Sequence, residues 1–110
     1  MSYTQLPDSP VSGTILAMTG ASVDRCDLPD REIMIARIAA LAATGAPALS
    51  YALNTGAAAE VGLTLEEAQG VLVAVAPIIG TARTVAAAED IAEGFRLGVA
   101  LMEADIDAEG

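Results

Sequence analysis

The sequence contains no histidine, no lysine and no tryptophan, and Cys26 is its single cysteine. Histidine is the side chain that most often moves protons near neutral pH, so acid–base chemistry here would depend on carboxylates or on a tyrosine. One cysteine allows no intrachain disulfide, no CxxC redox pair and no thiolate zinc cluster. We therefore expect no bound metal ion and no cofactor.

Positive charge is scarce, since five arginines face fifteen acidic residues and the formal net charge is −10. Nucleic acid binding requires a basic surface that neutralises phosphates, and scattered arginines do not form one. An anionic membrane surface would repel the chain for the same reason. We expect neither nucleic acid nor membrane as a partner.

Long apolar runs are also missing. The longest, residues 71–79, is far shorter than the roughly 20 residues that span a bilayer. The N-terminal residues 1–8 lack the basic start and apolar core of a signal peptide. The length of 110 residues suits one domain, so the sequence predicts a single-domain cytoplasmic protein over residues 1–110.

Apolar side chains, in contrast, are abundant and make up 54% of the sequence. The usual share is about 45–50%, even with glycine counted. A small chain has a large surface relative to its volume, and this one has few polar residues to cover it. Burial between subunits is the simplest remedy, so we expect a homo-oligomer.

Apolar residues recur at three- and four-residue steps, and no alternating strand pattern is found, which predicts an all-α fold of five helices. In the first helix this pattern places Ile15, Leu16, Thr19 and Val23 on one face, behind an N-terminal cap at Ser12. The predicted helices span residues 12–25, 27–43, 47–61, 64–76 and 81–102. An acidic tail over residues 103–110 should fray. An extended arm over residues 1–11 is either disordered or packed on a neighbouring subunit.

The third predicted helix is the expected packing centre of the fold. It has small residues at Ala52, Gly56 and Ala59, so neighbouring helices can approach it closely. It also carries polar side chains within a stretch of few charges, namely Tyr51, Asn54, Thr55 and Glu60. If the chain has a site, these residues are its best candidates.

Tyr51 and Asn54 are three residues apart, so a continuous helix would place them on one face, with Thr55 beside them. Together they would hydrogen-bond a ligand carbonyl or hydroxyl. The alternative is a tyrosine whose hydroxyl is satisfied by a neighbouring backbone group.

Arg37 lies in the middle of the most apolar helix, where a buried guanidinium needs acceptors. It either anchors an anionic substrate or forms a structural pair with Glu60 or another acidic residue, and we favour the pair. Glu60 would act as a general base only if desolvation raised its pKa, and otherwise it is a surface or ion-pair residue. Cys26 lies beside Arg25 but has no partner base, which favours an inert thiol.

Three segments occur in an order that resembles the carboxymuconolactone decarboxylase family, which includes the alkylhydroperoxidase-D-like proteins. They are Asp30-Arg-Glu-Ile-Met-Ile-Ala-Arg-Ile-Ala-Ala-Leu, then Ala58-x-x-x-Gly62-Leu-Thr-x-Glu-Glu, then an apolar helix into Pro77-x-x-Gly80-x-x-Arg. The resemblance covers about residues 14–100. It implies a small all-helical subunit that assembles into trimers or hexamers, with a site between helices near the subunit interface.

The reactive residues of that family are replaced in this chain. The histidine position falls at Asn54, and the two cysteine positions fall near Ser50 and Pro47. Without a thiolate nucleophile, peroxidase activity of the usual kind is not expected. An enzyme of this type would instead perform decarboxylase, lyase or isomerase-like acid–base chemistry.

Two functions from different classes follow. In the first, an interhelical pocket binds a small anionic or carbonyl-bearing molecule through Arg37, Tyr51, Asn54 and Thr55. Tyr51, Asn54 and Glu60 are then the catalytic candidates, and the reaction is unknown. In the second, apolar side chains fill the pocket and the protein is a non-catalytic oligomeric scaffold or partner-binding subunit.

Overall fold

A computed structural model describes residues 9–109, which fold into helices without any strand. The all-α prediction is confirmed. The helices are α1 (Pro10–Arg25), α2 (Asp30–Thr44), α3 (Ala48–Ala52), α4 (Thr55–Glu60), α5 (Leu65–Ile79) and α6 (Thr81–Glu109). Most of the predicted N-terminal arm, residues 1–8, lies outside the described residues.

Helix α1 begins two residues earlier than the predicted cap at Ser12. The Ser9 hydroxyl accepts a hydrogen bond from the Ser12 backbone N–H at 3.1 Å. Pro10 occupies the first helical position, where its missing N–H is not needed. The cap at Ser12 is therefore wrong, because Ser9 provides it.

Helix α5, predicted to start at residue 64, begins with a capping box formed by Thr64 and Glu67. The Thr64 hydroxyl accepts from the Glu67 N–H at 3.0 Å, and the Glu67 carboxylate accepts from the Thr64 N–H at 3.2 Å. Arg31 of α2 forms an ion pair with the same carboxylate. These hydrogen bonds and the charge of Arg31 hold the pKa of Glu67 below its ordinary value, with the backbone bond from Thr64 as the largest cause.

The third predicted helix is broken into α3 and α4. The Asn54 N–H bonds to the Tyr51 carbonyl at 3.0 Å, a three-residue step that tightens the chain into a turn. The Asn54 side chain donates to the Ser50 carbonyl at 2.8 Å and so competes with the regular helical bonds. Two short helices replace the one predicted over residues 47–61.

Three other predicted boundaries shift. Helix α2 begins at Asp30 without a side-chain cap. Helix α5 continues through Pro77 to Ile79. Proline in the last turn removes one backbone hydrogen bond, and the carbonyl left without that bond, at the exposed Val73, can be hydrated. Helix α6 extends to Glu109, where the sequence predicted a frayed tail.

The core lies around α6, which contacts α2, α3, α4 and α5. Helix α2 contributes one buried face, made of Ile33, Met34, Ile38 and Ala42. The buried cluster consists of Met34, Ile38, Ala42, Tyr51, Ala58, Leu63, Ala68, Val71, Leu72, Ala87 and Ile91.

Helix α6 approaches α3 closely, and this approach requires glycine. A Cβ atom added at Gly94 would lie 2.5 Å from the Ala48 carbonyl oxygen, and one at Gly98 would lie 2.9 Å from that of Ala52.

Helix α1 stands apart from this core. It has no buried residue and makes only sparse contacts with the other helices. Its large apolar side chains are about half exposed or more, including Val11 (68%), Met18 (65%) and Ile15 (56%). Its position leaves an open groove against α3.

Within residues 9–109, no individual helix has both the length and the apolar character required to cross a bilayer. The segments Ala48–Glu60 and Leu65–Ile79 reach that threshold only when combined, and they are bent by 117° relative to each other.

We predict that Gly98→Ala lowers the free energy of unfolding by about 1–3 kcal/mol, the usual cost of overpacking a tight contact. Chemical denaturation monitored by circular dichroism measures it. Gly70→Ala is the matched control, because Gly70 lies within α5 with no atom within 4 Å of an added Cβ. Gly70→Ala should raise the free energy of unfolding by about 0.5–1 kcal/mol. Equal effects of the two changes would contradict the tight α3–α6 contact.

Candidate functional site

Two adjoining clefts separate α1 from the rest of the protein. The first, which we call the apolar groove, has a volume of about 580 Å³ and lies between α1 and α3. It is lined by Ser12, Ile15, Leu16, Thr19, Ser50, Leu53 and Asn54. The second, the polar cleft, has a volume of about 340 Å³ and lies between α1 and α2. It is lined by Met18, Thr19, Ser22, Arg37, Ala40, Leu41 and Asn54.

Arg37 projects from α2 into the polar cleft and is half-buried. Its Nη2 donates to the Thr19 carbonyl at 3.5 Å and to the Ser22 hydroxyl at 3.3 Å, both long bonds. A guanidinium has five N–H donors, so most of its capacity remains. Arg37 therefore has room for a further acceptor.

The predicted ion pair between Arg37 and Glu60 is not formed among the described residues. Both side chains line a further small cleft of about 230 Å³, together with Asp30. Glu60 itself is exposed to solvent. The guanidinium is held by the hydroxyl and carbonyl of α1 instead, because α1 lies across α2 at this level.

Asn54 is the residue that joins the two clefts, and it lines both. Its Nδ2 already donates to the Ser50 carbonyl at 2.8 Å. Its Oδ1 and the second Nδ2 proton are left for other partners. The break between α3 and α4 is what turns this side chain toward α1.

The structure does not bring Tyr51 and Thr55 to the same place as Asn54. Tyr51 is 1% exposed and packs against Gly94 of α6. Thr55 is 5% exposed, lies against Gly98, and donates to the Tyr51 carbonyl at 3.2 Å. Neither residue lines the apolar groove or the polar cleft. The expectation of a shared face assumed a continuous helix.

The Tyr51 hydroxyl is buried and has no hydrogen-bond partner among the described residues. Burial, together with the neighbouring Asp90 carboxylate, raises the pKa of Tyr51 above its ordinary value. The phenol is therefore neutral at physiological pH and cannot serve as a general base. The alternative raised above, a hydroxyl satisfied by a neighbouring backbone group, is not observed.

Sequence reasoning missed the polar groups that α1 contributes. Thr19 was placed on the apolar face of the first helix by its spacing, yet its backbone carbonyl accepts from Arg37 of α2. Ser22, whose hydroxyl accepts from the same guanidinium, was not singled out at all. The signal that could have found them is the mixture of hydroxyls and apolar residues at three- and four-residue steps along Ser12–Val23.

Within the described residues, no group of three histidine, cysteine, aspartate or glutamate side chains is arranged to hold a metal ion. Cys26 is a free thiol at the end of α1 and is partly exposed. Its backbone N–H bonds to the Val23 carbonyl at 3.3 Å, which ends the helix.

Comparison of this chain with family models, with curated proteins and with solved structures gives no match.

The polar cleft presents one fixed positive charge, an amide and two hydroxyls. None of these groups is a nucleophile with an adjacent base, and none exchanges protons near neutral pH. The arrangement can bind an anion or polarise a carbonyl. Proton transfer would have to come from Glu60 or Asp30, which face Arg37 from the neighbouring cleft.

We predict that Tyr51→Phe raises the free energy of unfolding by up to about 1–3 kcal/mol, the desolvation cost of an unsatisfied buried polar group. Thermal and chemical denaturation measure it. Thr55→Val is the matched control, because that hydroxyl has a partner and its loss should destabilise. A destabilised Tyr51→Phe variant would show that the phenol is satisfied after all.

Proposed function

We propose that the protein binds a small anionic or carbonyl-bearing molecule in the polar cleft, with Arg37 and Asn54 as its principal contacts. One observation carries this proposal. Arg37 of α2 and Asn54 of the α3–α4 turn line a single cleft, and the hydroxyl residues Thr19 and Ser22 of α1 line it with them.

The environment of Arg37 supports an anionic ligand. The guanidinium is half-buried, its two hydrogen bonds are long, and no carboxylate pairs with it within the described residues. Charge-assisted bonds to a carboxylate are shorter and roughly twice as strong as neutral ones, and arginine often makes two in parallel. A ligand carboxylate would thus provide the acceptors that the protein itself does not.

Binding without turnover accounts for the side chains in the cleft. Arginine, asparagine, serine, threonine and methionine position a ligand and stabilise charge, but they do not transfer protons at neutral pH. Tyr51, an earlier catalytic candidate, is sealed against α6. Any proton transfer would need Glu60 or Asp30, so a catalytic role depends on a substrate that extends from the polar cleft into the neighbouring one.

We also propose that the subunit is a divergent relative of the carboxymuconolactone decarboxylase type. The order of the three resembling segments supports this, as does an all-helical fold in which the second segment ends in the capping box of Thr64 and Glu67. A subunit of this type would assemble as a trimer or hexamer.

We predict that Arg37→Ala weakens binding of benzoate at least tenfold, since a hydrogen bond to a charged group contributes about 1.5–3 kcal/mol. Isothermal titration calorimetry or ligand-detected NMR measures it. Arg96→Ala is the matched control, because Arg96 is an exposed arginine paired with Glu93 on α6, far along the chain from the cleft residues.

Benzamide has the shape of benzoate without its charge. It should bind the unaltered protein much more weakly than benzoate does, and Arg37→Ala should not change its affinity. If Arg37→Ala and Arg96→Ala change benzoate affinity equally, the polar cleft is not the anion site.

The second candidate function is an oligomeric scaffold, and the exposed apolar face of α1 favours it. Helix α1 has 16 residues and no buried side chain, so packing within the subunit stabilises it little. Isolated helices of this length are only marginally stable in water. Apolar side chains such as Ile15 and Met18 would be covered if a neighbouring subunit packed on them.

We predict that native mass spectrometry finds a trimer or hexamer, and that Ile15→Glu shifts the population toward the monomer, since a charge would be buried in the subunit contact. Thr14→Glu is the matched control, because it adds the same charge to α1 and removes no large apolar side chain. A wild-type protein that is monomeric at micromolar concentration would contradict the scaffold.

A further inference from the structure

The apolar groove and the polar cleft adjoin each other along α1, and we call the two together the channel. Thr19 and Asn54 belong to the lining of both, so the two clefts meet at these side chains. The apolar groove, at about 580 Å³, falls within the range of roughly 300–1,000 Å³ typical of small-molecule sites. A ligand held by Arg37 can therefore extend from the polar cleft into the apolar groove.

Apolar side chains of α1 and of the residue that follows α3 form part of the lining of that groove. Ile15 and Leu16 of α1 are 56% and 49% exposed, and Leu53 beyond α3 is 38% exposed. Each methylene group that a ligand buries against these side chains is stabilising by about 0.8 kcal/mol. The groove thus favours an apolar chain over a polar one.

Charge is confined to one end of this channel. Arg37 is the single ionisable residue among those lining the two clefts, although the whole chain carries a net charge of −10. A ligand with one negative charge at one end matches this distribution. A second charge at the far end would lie among apolar side chains and be desolvated without a partner.

We infer that the ligand class is the amphipathic monocarboxylate, with its head group on Arg37 and a single alkyl chain in the apolar groove. This inference rests on the proposed function and deepens it. The carboxylate accepts from the free guanidinium donors, Asn54 orients it at the junction, and Ile15, Leu16 and Leu53 contact the chain.

The test is a series of straight-chain carboxylates from acetate to decanoate, titrated into the whole protein below their micelle concentrations. Affinity should rise about two- to fourfold for each added methylene, since the groove buries each one in part. Octanedioate should bind at least tenfold more weakly than octanoate. Arg37→Ala should weaken every member by a similar factor.

A substitution in the groove separates the two parts of the site. Leu16→Ser should flatten the dependence of affinity on chain length, because it should weaken octanoate binding more than acetate binding. Val85→Ser is the matched control, because Val85 is a 55% exposed apolar residue on α6 that does not line either cleft. It should leave both affinities as they are.

The contrary outcomes are distinct. Equal affinities for acetate and octanoate, both dependent on Arg37, would contradict an alkyl chain in the apolar groove and leave the anion site intact. Octanoate binding that is unchanged by Arg37→Ala would contradict both the alkyl-chain inference and the anion site. If no carboxylate binds and hydrogen exchange shows α1 protected in an oligomer, a second copy of the chain fills the groove, and the inference falls together with the proposed function.

Discussion

The contact of α6 with α3 is the constraint on which the rest of the structure depends. Gly94 and Gly98 bring the backbones so close that a Cβ at either position would overlap Ala48 or Ala52. That contact seals Tyr51 and Thr55 against α6. The helix then breaks at Leu53 and Asn54, which leaves the Asn54 side chain on the side that faces α1. The position of the polar cleft is thus a consequence of close packing on the opposite side of α3.

Helix α1 is the helix that is not packed into the buried core. Its side chains are not part of the buried cluster, yet they line the two clefts that hold the candidate site. A small molecule in the channel and a second subunit on α1 are both ways to remove the same apolar surface from water. The two proposed functions therefore concern one surface, and an oligomer with a ligand between α1 and α3 would satisfy both.

The arginines differ in their partners, and this difference marks Arg37 as the candidate anion contact. Two of the five arginines, Arg31 and Arg96, form ion pairs with Glu67 and Glu93. Arg83 donates to the carbonyl of Ala43 at the end of α2. Arg37 differs from these three because it is half-buried and also has no carboxylate partner among the described residues. Its guanidinium meets a hydroxyl and a carbonyl, both at long distances. In so acidic a chain, this positive charge is a natural anchor for an anion.

The sequence by itself determined the helical class, the start of α5 and the lack of histidine and of a second cysteine. These features depend on local periodicity, on hydrogen bonds between residues three apart, or on composition alone. It also indicated Arg37 and Asn54 as candidate site residues, because polar groups stand out in apolar helices. Only the tertiary structure decided which partners they have. Whether Tyr51 faces a cleft depends on glycines of α6, which are distant in the sequence. Whether Arg37 pairs with Glu60 depends on where α1 lies. Neither contact can be read from the local sequence.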